Sequence, residues 1–315
     1  MVLNVQRPRP KGRNGKSIVD RMKKIIVICF ALALPVWAED SSMEAHAELS
    51  LTVSSLPEAQ IAVSHSFVFP FLQGDGPLVS GNNINLKLGA NVSPVSGNIL
   101  ADAVLTPIAF FTVSLGAKLG SGWNYPLFGV PMKGMGVRRY SPDKDPPEGV
   151  DGAGLDGVVW NAHAGATIQF DLAALFPGDW RHVVAQIYNE INFQNYTGAR
   201  GHDSWYYEND DGVNQNAFSH YFSALLGYQM PLFIDLVGVM FELKEPFYNP
   251  YTGESLTDRG PETTLSLAAD FKLPKNITIM VLGQWKNKLS HPITDGFDRQ
   301  WDFFRVALIA TCRMR

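Results

Sequence analysis

The chain predicts an all-β fold: an up-and-down antiparallel β-barrel of about twelve strands, ten to fourteen, crossing a membrane with long extracellular loops and short periplasmic turns. Three observations predict it. From Ala47 to Arg315, runs of roughly ten residues alternate apolar and polar side chains, each run closed by a Gly-, Pro- or Asn/Asp-rich break. From Pro107 onward the breaks alternate between short and long, as rims of a membrane barrel do and Greek-key sandwiches have no reason to do. Aromatic residues gather at the ends of the runs, where amphipathic rings favour the lipid headgroup level.

The amino terminus fixes the compartment. Met22 is followed by Lys23 and Lys24, an apolar stretch from Ile25 to Leu34, Pro35, and the small-residue site Val36-Trp37-Ala38 before Glu39. That is the three-part plan of a secretory signal, and its apolar core is too short to span a bilayer. Residues 1–38 are therefore expected to be leader and cleaved signal, with the true start at Met22 and cleavage after Ala38; residues 39–315 form a single outer-membrane barrel domain. The first 38 residues hold eight of the 26 Lys and Arg but one of the 30 Asp and Glu, so the mature chain keeps 18 basic against 29 acidic residues, a net of about −11. No basic footprint for nucleic acid remains. Cys29 falls in the signal and Cys312 stands alone beyond it, so the exported chain folds without an internal disulfide.

Strands are expected at 46–54, 59–71, 82–92, 97–105, 108–120, 158–171, 182–196, 217–230, 232–244, 261–273, 276–288 and 301–313. The clearest is Trp160 to Leu172, whose even-numbered residues are Trp, Ala, Ile, Phe and Leu and whose odd-numbered ones are Asn, His, Gly, Thr, Gln and Asp. Strand geometry sends alternate side chains to opposite faces, and no helix would sort them that way. Phe111, Val113 and Leu115 oppose Thr112, Ser114 and Gly116 in the same manner, as Leu265, Leu267 and Phe271 oppose Ser266, Asp270 and Lys272. In lipid, each unpaired backbone group costs several kcal/mol, which requires the sheet to close.

If the apolar faces meet lipid, the polar faces line the interior. The candidate lumen residues are Lys87, Lys118, His163, Gln169, Gln186, Glu190, Asp270, Lys272, Lys286 and Arg305, joined by Asn85, Asn161, Tyr188, Asn192 and Lys288. No Lys or Arg sits centrally on an apolar face, where each would cost about 2–4 kcal/mol. Trp123, Trp160, Trp180, Trp285 and Trp301 are the expected aromatic girdle, with Tyr196 and Phe218 toward the long loops and Phe170, Phe176 and Phe233 toward the short turns.

The stretches SPVS (Ser93 to Ser96), TPIAFF (Thr106 to Phe111), GSGW (Gly120 to Trp123), FDLAALFPGDW (Phe170 to Trp180), SWYYENDDG (Ser204 to Gly212) and GYQMP (Gly227 to Pro231) resemble a family of spirochaete outer-membrane β-barrel proteins without an assigned activity. The resemblance covers the chain from about residue 73 onward and implies location and architecture, not a reaction. Many outer-membrane barrels end in an aromatic residue read by the insertion machinery; this chain ends Thr-Cys-Arg-Met-Arg.

Two functions are open to such a barrel. The mixed-charge inner face suits a narrow, porin-like channel for small hydrophilic solutes, since twelve strands fall between filled eight-stranded barrels and open sixteen-stranded ones. A lumen plugged by ion pairs and by residues 121–157 would instead leave a structural or surface-binding barrel, whose long connectors, including the acidic His202 to Asn216, meet host or extracellular ligands. An enzyme is not expected. His65-Ser66 and Ser219-His220 are adjacent on strands and so face opposite ways, which forbids a nucleophile–base pair. Asn209 to Gly212 lacks the spacing and distal Glu of a calcium loop, and the histidines show no metal-ligand spacing, so neither metal nor cofactor is expected. The expected partners are outer-membrane lipid, the barrel-assembly machinery, and small solutes or extracellular ligands.

Overall fold

The computed structural model describes residues 43–56, 58–127, 130–138, 150–151, 155, 157–201, 203–208, 210, 214–247, 261–289 and 299–314. The leader, the signal segment and the start at Met22 lie outside the described residues, as do His202, Asn209 and 211–213 of the acidic connector. Twelve long strands close one antiparallel barrel: β1 Glu44–Ser54, β2 Ala59–Pro70, β3 Asn83–Val92, β4 Ser96–Ile108, β5 Phe111–Gly122, β6 Val159–Asp171, β7 His182–Tyr196, β8 Ala217–Gln229, β9 Ile234–Pro246, β10 Glu262–Leu273, β11 Ile277–Leu289 and β12 Arg299–Met314. Each strand pairs with its neighbours in sequence, and β1 closes on β12 from Ala47↔Met314 to Ser54↔Ala307. The expected strands differ from these by a few residues at their ends.

Register makes the alternation physical. Trp160, Ala162, Ala164 and Ile168 of β6 lie beside Phe193, Ile191 and Ile187 of β7 and Leu119, Ala117 and Leu115 of β5, forming one continuous outer surface. That surface is exposed and apolar: Leu115, Ile187, Leu226 and Leu267 keep 59, 48, 61 and 49% of their surface open, the reverse of a water-soluble core. Among the described residues no helix is long and apolar enough to cross a membrane.

Two aromatic belts rim this wall. Toward the connectors 197–216 and 290–298, Trp160 packs on Phe193 at 5.2 Å, Phe193 on Phe218 at 4.8 Å, and Trp285 on Phe303 at 5.8 Å, with Trp301 half exposed beside them. Toward the rim carrying the termini stand Phe170, Phe176, Trp180 and Phe233, with Phe233 on Phe271 at 5.5 Å. Trp123 and Tyr196 do not belong to either belt. Each is 3% exposed, covered by chain that folds into the barrel mouth. After Gly122 the backbone turns inward, so the Trp123 N–H donates to Val95 O at 2.8 Å and its indole to Pro94 O at 2.6 Å. Tyr196 has the parity of Gln186 and Glu190 and therefore faces in.

Loop lengths alternate only in part. On the rim opposite the termini the connectors 123–158, 197–216, 247–261 and 290–298 are long, but 55–58 and 93–95 are short. On the termini rim, 71–82 is a folded loop, not a tight turn. The buried Asn82 holds it, donating to Leu72 O at 3.0 Å and to Pro107 O at 2.7 Å. The sequence also gives no sign of five short strands inside the two longest connectors: Tyr125–Leu127 pairs with Val130–Met132, and Met135–Arg138 pairs with both Val150–Asp151 and Ser204–Tyr207.

A test follows from Leu267, half exposed near the middle of β10. In lipid vesicles Leu267→Arg is expected to lower unfolding stability by about 2–4 kcal/mol in denaturant titration, as a midplane charge does. A surface facing water would tolerate the change within about 0.5 kcal/mol.

Candidate functional site

The polar faces converge on the lumen, and their pairing depends on what stands between them. Lys87 on β3 reaches Glu48 on β1 at 3.7 Å because the intervening β2 presents only Ser64 and Ser66 there. Asp102 on β4 meets His163 on β6 at 3.4 Å across Gly116 of β5. A Cβ at Gly116 would overlap both the Asp102 carboxylate and the His163 ring, so glycine is what permits the contact.

A hydrogen-bonded belt continues round the wall. Tyr188 donates to Glu190 at 2.5 Å, and Tyr221 donates to Glu242 at 2.6 Å, with the two phenol rings 6.1 Å apart. Ser266 donates to the other Glu242 oxygen at 3.4 Å and accepts from Gln284 at 2.9 Å. Arg305 then donates from Nε to Gln284 Oε1 at 2.6 Å and pairs through Nη1 with Glu58. Lys286 pairs with Glu262 and lies over the Phe304 ring at 5.1 Å. Lower in the barrel Lys272 pairs with Asp235 at 2.7 Å, Asp270 faces the lumen on the same strand, and Gln169 donates to Ala109 O at 3.2 Å opposite Gln186. Lys87, Lys118, His163, Gln169, Gln186, Glu190, Asp270, Lys272, Lys286 and Arg305 thus all stand on the inner face. Glu190 and Glu242 take tyrosine hydroxyls and, like Asp270, have no cationic partner among the described residues.

At the mouth, sequence reasoning missed the principal contact. The inserted strand Ser204–Tyr207 buries Trp205, Tyr206 and Tyr207, and Trp205 and Tyr207 join Met135, Val159 and Tyr196 in a small core inside the rim. The next residue, Glu208, adopts a left-handed backbone at φ 55°. Its carboxylate accepts from Ser96 at 2.9 Å and Asn98 at 2.6 Å on β4, and from Lys118 at 2.9 Å on β5. Tyr207 donates to Asn98 Oδ1 at 2.6 Å over Gly120, whose missing side chain leaves room for the phenol. Burial alone pushes the Glu208 carboxyl up, but the Lys118 ammonium and the donors of Lys118, Asn98 and Ser96 outweigh it and hold the group below the usual carboxylate range. Burial, with the Glu208 charge, drives the Tyr207 hydroxyl far above a free phenol. Lys118 is therefore a lumen residue committed to holding a loop. Only its Lys-in-a-strand position was legible beforehand, since its partner lies some 90 residues away in a connector.

Neither adjacent Ser/His pair is set for ester hydrolysis. Ser66 and Ser219 face the lumen while His65 and His220 face outward, and the residues flanking His220 on its own face are Phe218 and Phe222. No group of three or more potential metal ligands occurs among the described residues.

The geometry defines the class: a closed twelve-stranded barrel with an apolar wall and a charged interior. No family model matches the chain, and no curated protein does. Among solved structures it is similar to the β domain of the Bordetella autotransporter BrkA, at 11% identity and TM-score 0.41 over 86% of this chain and 98% of that one. It is also similar to the NanC porin, at 8% identity and TM-score 0.40 over 85 and 98%, and to the KdgM porin, at 9% and 0.38 over 86 and 100%. Likenesses this distant carry no argument about function.

Because the folded Glu208 is depressed, its contribution is complete above the ordinary carboxylate value of 4.5 and is lost as pH falls through its lower folded value. The segment from Ser204 to Glu208 is therefore expected to resist protease at pH 7 and to open in acid. Lys118→Met leaves the part-buried Glu208 carboxylate without its cation and is expected to expose the segment to cleavage already at pH 7.

Proposed function

We propose that this chain is exported to the outer membrane, inserted by the barrel-assembly machinery, and works there as a narrow, porin-like channel for small hydrophilic solutes. The supporting observation is the state of the lumen charges. Inside a closed wall, the side chains of Lys87, Glu48, Arg305, Asp102 and His163 keep 39, 30, 30, 25 and 22% of their surface open. A packed plug would leave them near zero, so these charged side chains meet water-sized space, while Ser266 and Gln284 beside Arg305 are closed in. The apolar wall and its two aromatic rims support lipid as the outer medium, and the signal at Met22 supports the route.

The infolded mouth favours a second reading. The Trp205–Glu208 segment narrows the entrance, and a barrel sealed there would be a surface-binding or structural protein whose connectors 123–158 and 197–216 meet extracellular ligands.

Reconstitution in planar bilayers separates the two. The channel reading expects discrete conductance steps, cation-preferring because Glu190 and Glu242 lack cationic partners; Glu190→Gln with Glu242→Gln should reduce the cation-to-anion permeability ratio severalfold in reversal-potential measurements. Silence from both the native protein and Lys118→Met, under conditions where each migrates as a folded, heat-modifiable barrel, would favour the sealed reading.

A further inference from the structure

The lumen is not polar all the way round. On the inner face of β8 to β12, register sets a run of large apolar side chains: Leu225 pairs with Met240, Leu236 and Met280 stand on either side of one β10 position, and Leu282 and Ile309 continue the surface on β11 and β12. They share the parity of Tyr221, Glu242, Gln284 and Arg305, so they face the lumen and not the outer wall. None is enclosed; each keeps part of its surface open. Between them the backbone is bare. Gly227 and Gly238 pair directly, and Leu236 and Leu225 lie across them, 3.4 and 3.5 Å from where the respective Cβ atoms would stand. A smooth apolar strip thus runs down one side of an otherwise charged interior.

Two carboxylates without a cationic partner among the described residues adjoin this strip. Glu242 stands two residues from Met240 on β9, its oxygens taken by the hydroxyls of Tyr221 and Ser266. Asp270 is the β10 residue between Leu236 and Met280, and its Oδ1 is enclosed without a hydrogen-bond partner. Lys272, two residues along β10, is turned to Asp235 at 2.7 Å, and Lys286 on β11 is paired with Glu262. Glu242 is level with Thr264, so six residues of β10 separate the two acids, about 20 Å along the strand. A hydrated inorganic cation gains from the carboxylates and nothing from Leu or Met. A cation that carries a short hydrocarbon body gains from both, because covering apolar surface releases the water against it.

We propose that the strip is a binding station for small organic cations, with an ammonium head at Asp270 and a short hydrocarbon body on Leu225, Leu236, Met240 and Met280. The proposal rests on the channel reading above and narrows its solute. Glu242, toward the mouth, offers the same head a second carboxylate on its way through.

In planar bilayers, hexyltrimethylammonium is expected to block the native conductance at a concentration about tenfold below that needed by tetramethylammonium, which has the same charge and no chain. Asp270→Asn should weaken block by both cations severalfold. Met240→Ser with Met280→Ser should bring the two cations together while conductance persists. Equal block of the native protein by the two cations, or a folded Asp270→Asn barrel blocked as the native one is, overturns the station and leaves the channel standing. A silent barrel is tested by equilibrium dialysis of the same two cations against the native protein in lipid nanodiscs, with empty nanodiscs subtracted. Saturable retention that prefers hexyltrimethylammonium and is lost in Asp270→Asn upholds the station and removes the channel reading. Silence without that preference overturns both.

Discussion

The rest of this molecule depends on one constraint, that every strand edge be paired. A hydrocarbon medium offers backbone N–H and C=O groups no partner, and the only sheet without an edge is a closed one. The β1–β12 register supplies that closure, joining residues more than 250 apart in sequence. Once the cylinder exists, alternation along each strand has only two destinations. Even residues of β6 go to the wall and odd ones to the lumen, and each neighbour is obliged to match or to set a charge in lipid. The stability of such a barrel therefore comes from the completeness of the ladder, not from a buried apolar core: the fold has almost none apart from the small cluster beneath the infolded connectors.

Closure also explains how the interior can be so polar. Enclosed charges are costly unless paired or hydrated, and the lumen uses both solutions. Second-neighbour strands reach each other because the strand between them carries Ser64, Ser66 or Gly116, while the belt from Tyr221 to Arg305 passes hydrogen bonds along adjacent strands. The mouth is built differently. There Lys118, Asn98 and Ser96 are donors waiting on the wall, and a carboxylate from a distant connector answers all three. Loop and lumen are thus one electrostatic system, and the width of the entrance is set by the same side chains that charge the interior.

Much of this was legible in the sequence because the side-chain period of a strand is two and survives without tertiary information. Strand number, inner and outer faces, and the charged lumen all follow from it. Two kinds of feature did not follow. Some belong to connectors, where no period operates: the short strands at 125–138 and 204–207, the turn that buries Trp123, and the Glu208 anchor are decided by contacts with residues far away in sequence. Others were visible but read by position instead of parity. Tyr196 stands near a strand end, as a girdle residue does, yet shares its face with Glu190. Leu225, Leu236, Met280 and Ile309 lie on lumen positions of four different strands, and only register shows that they form one patch.

The central claim is that hydrocarbon, and not water or protein, lies against the wall. Quenching of tryptophan emission by lipids brominated at chosen chain depths measures this directly in single-tryptophan variants. Trp160, Trp180 and Trp301 are expected to be quenched most by bromines near the headgroup end of the acyl chain, and Trp123, enclosed in the mouth, by none. Wall tryptophans insensitive to every bromolipid, in a chain that keeps its β-sheet signal, would contradict the account.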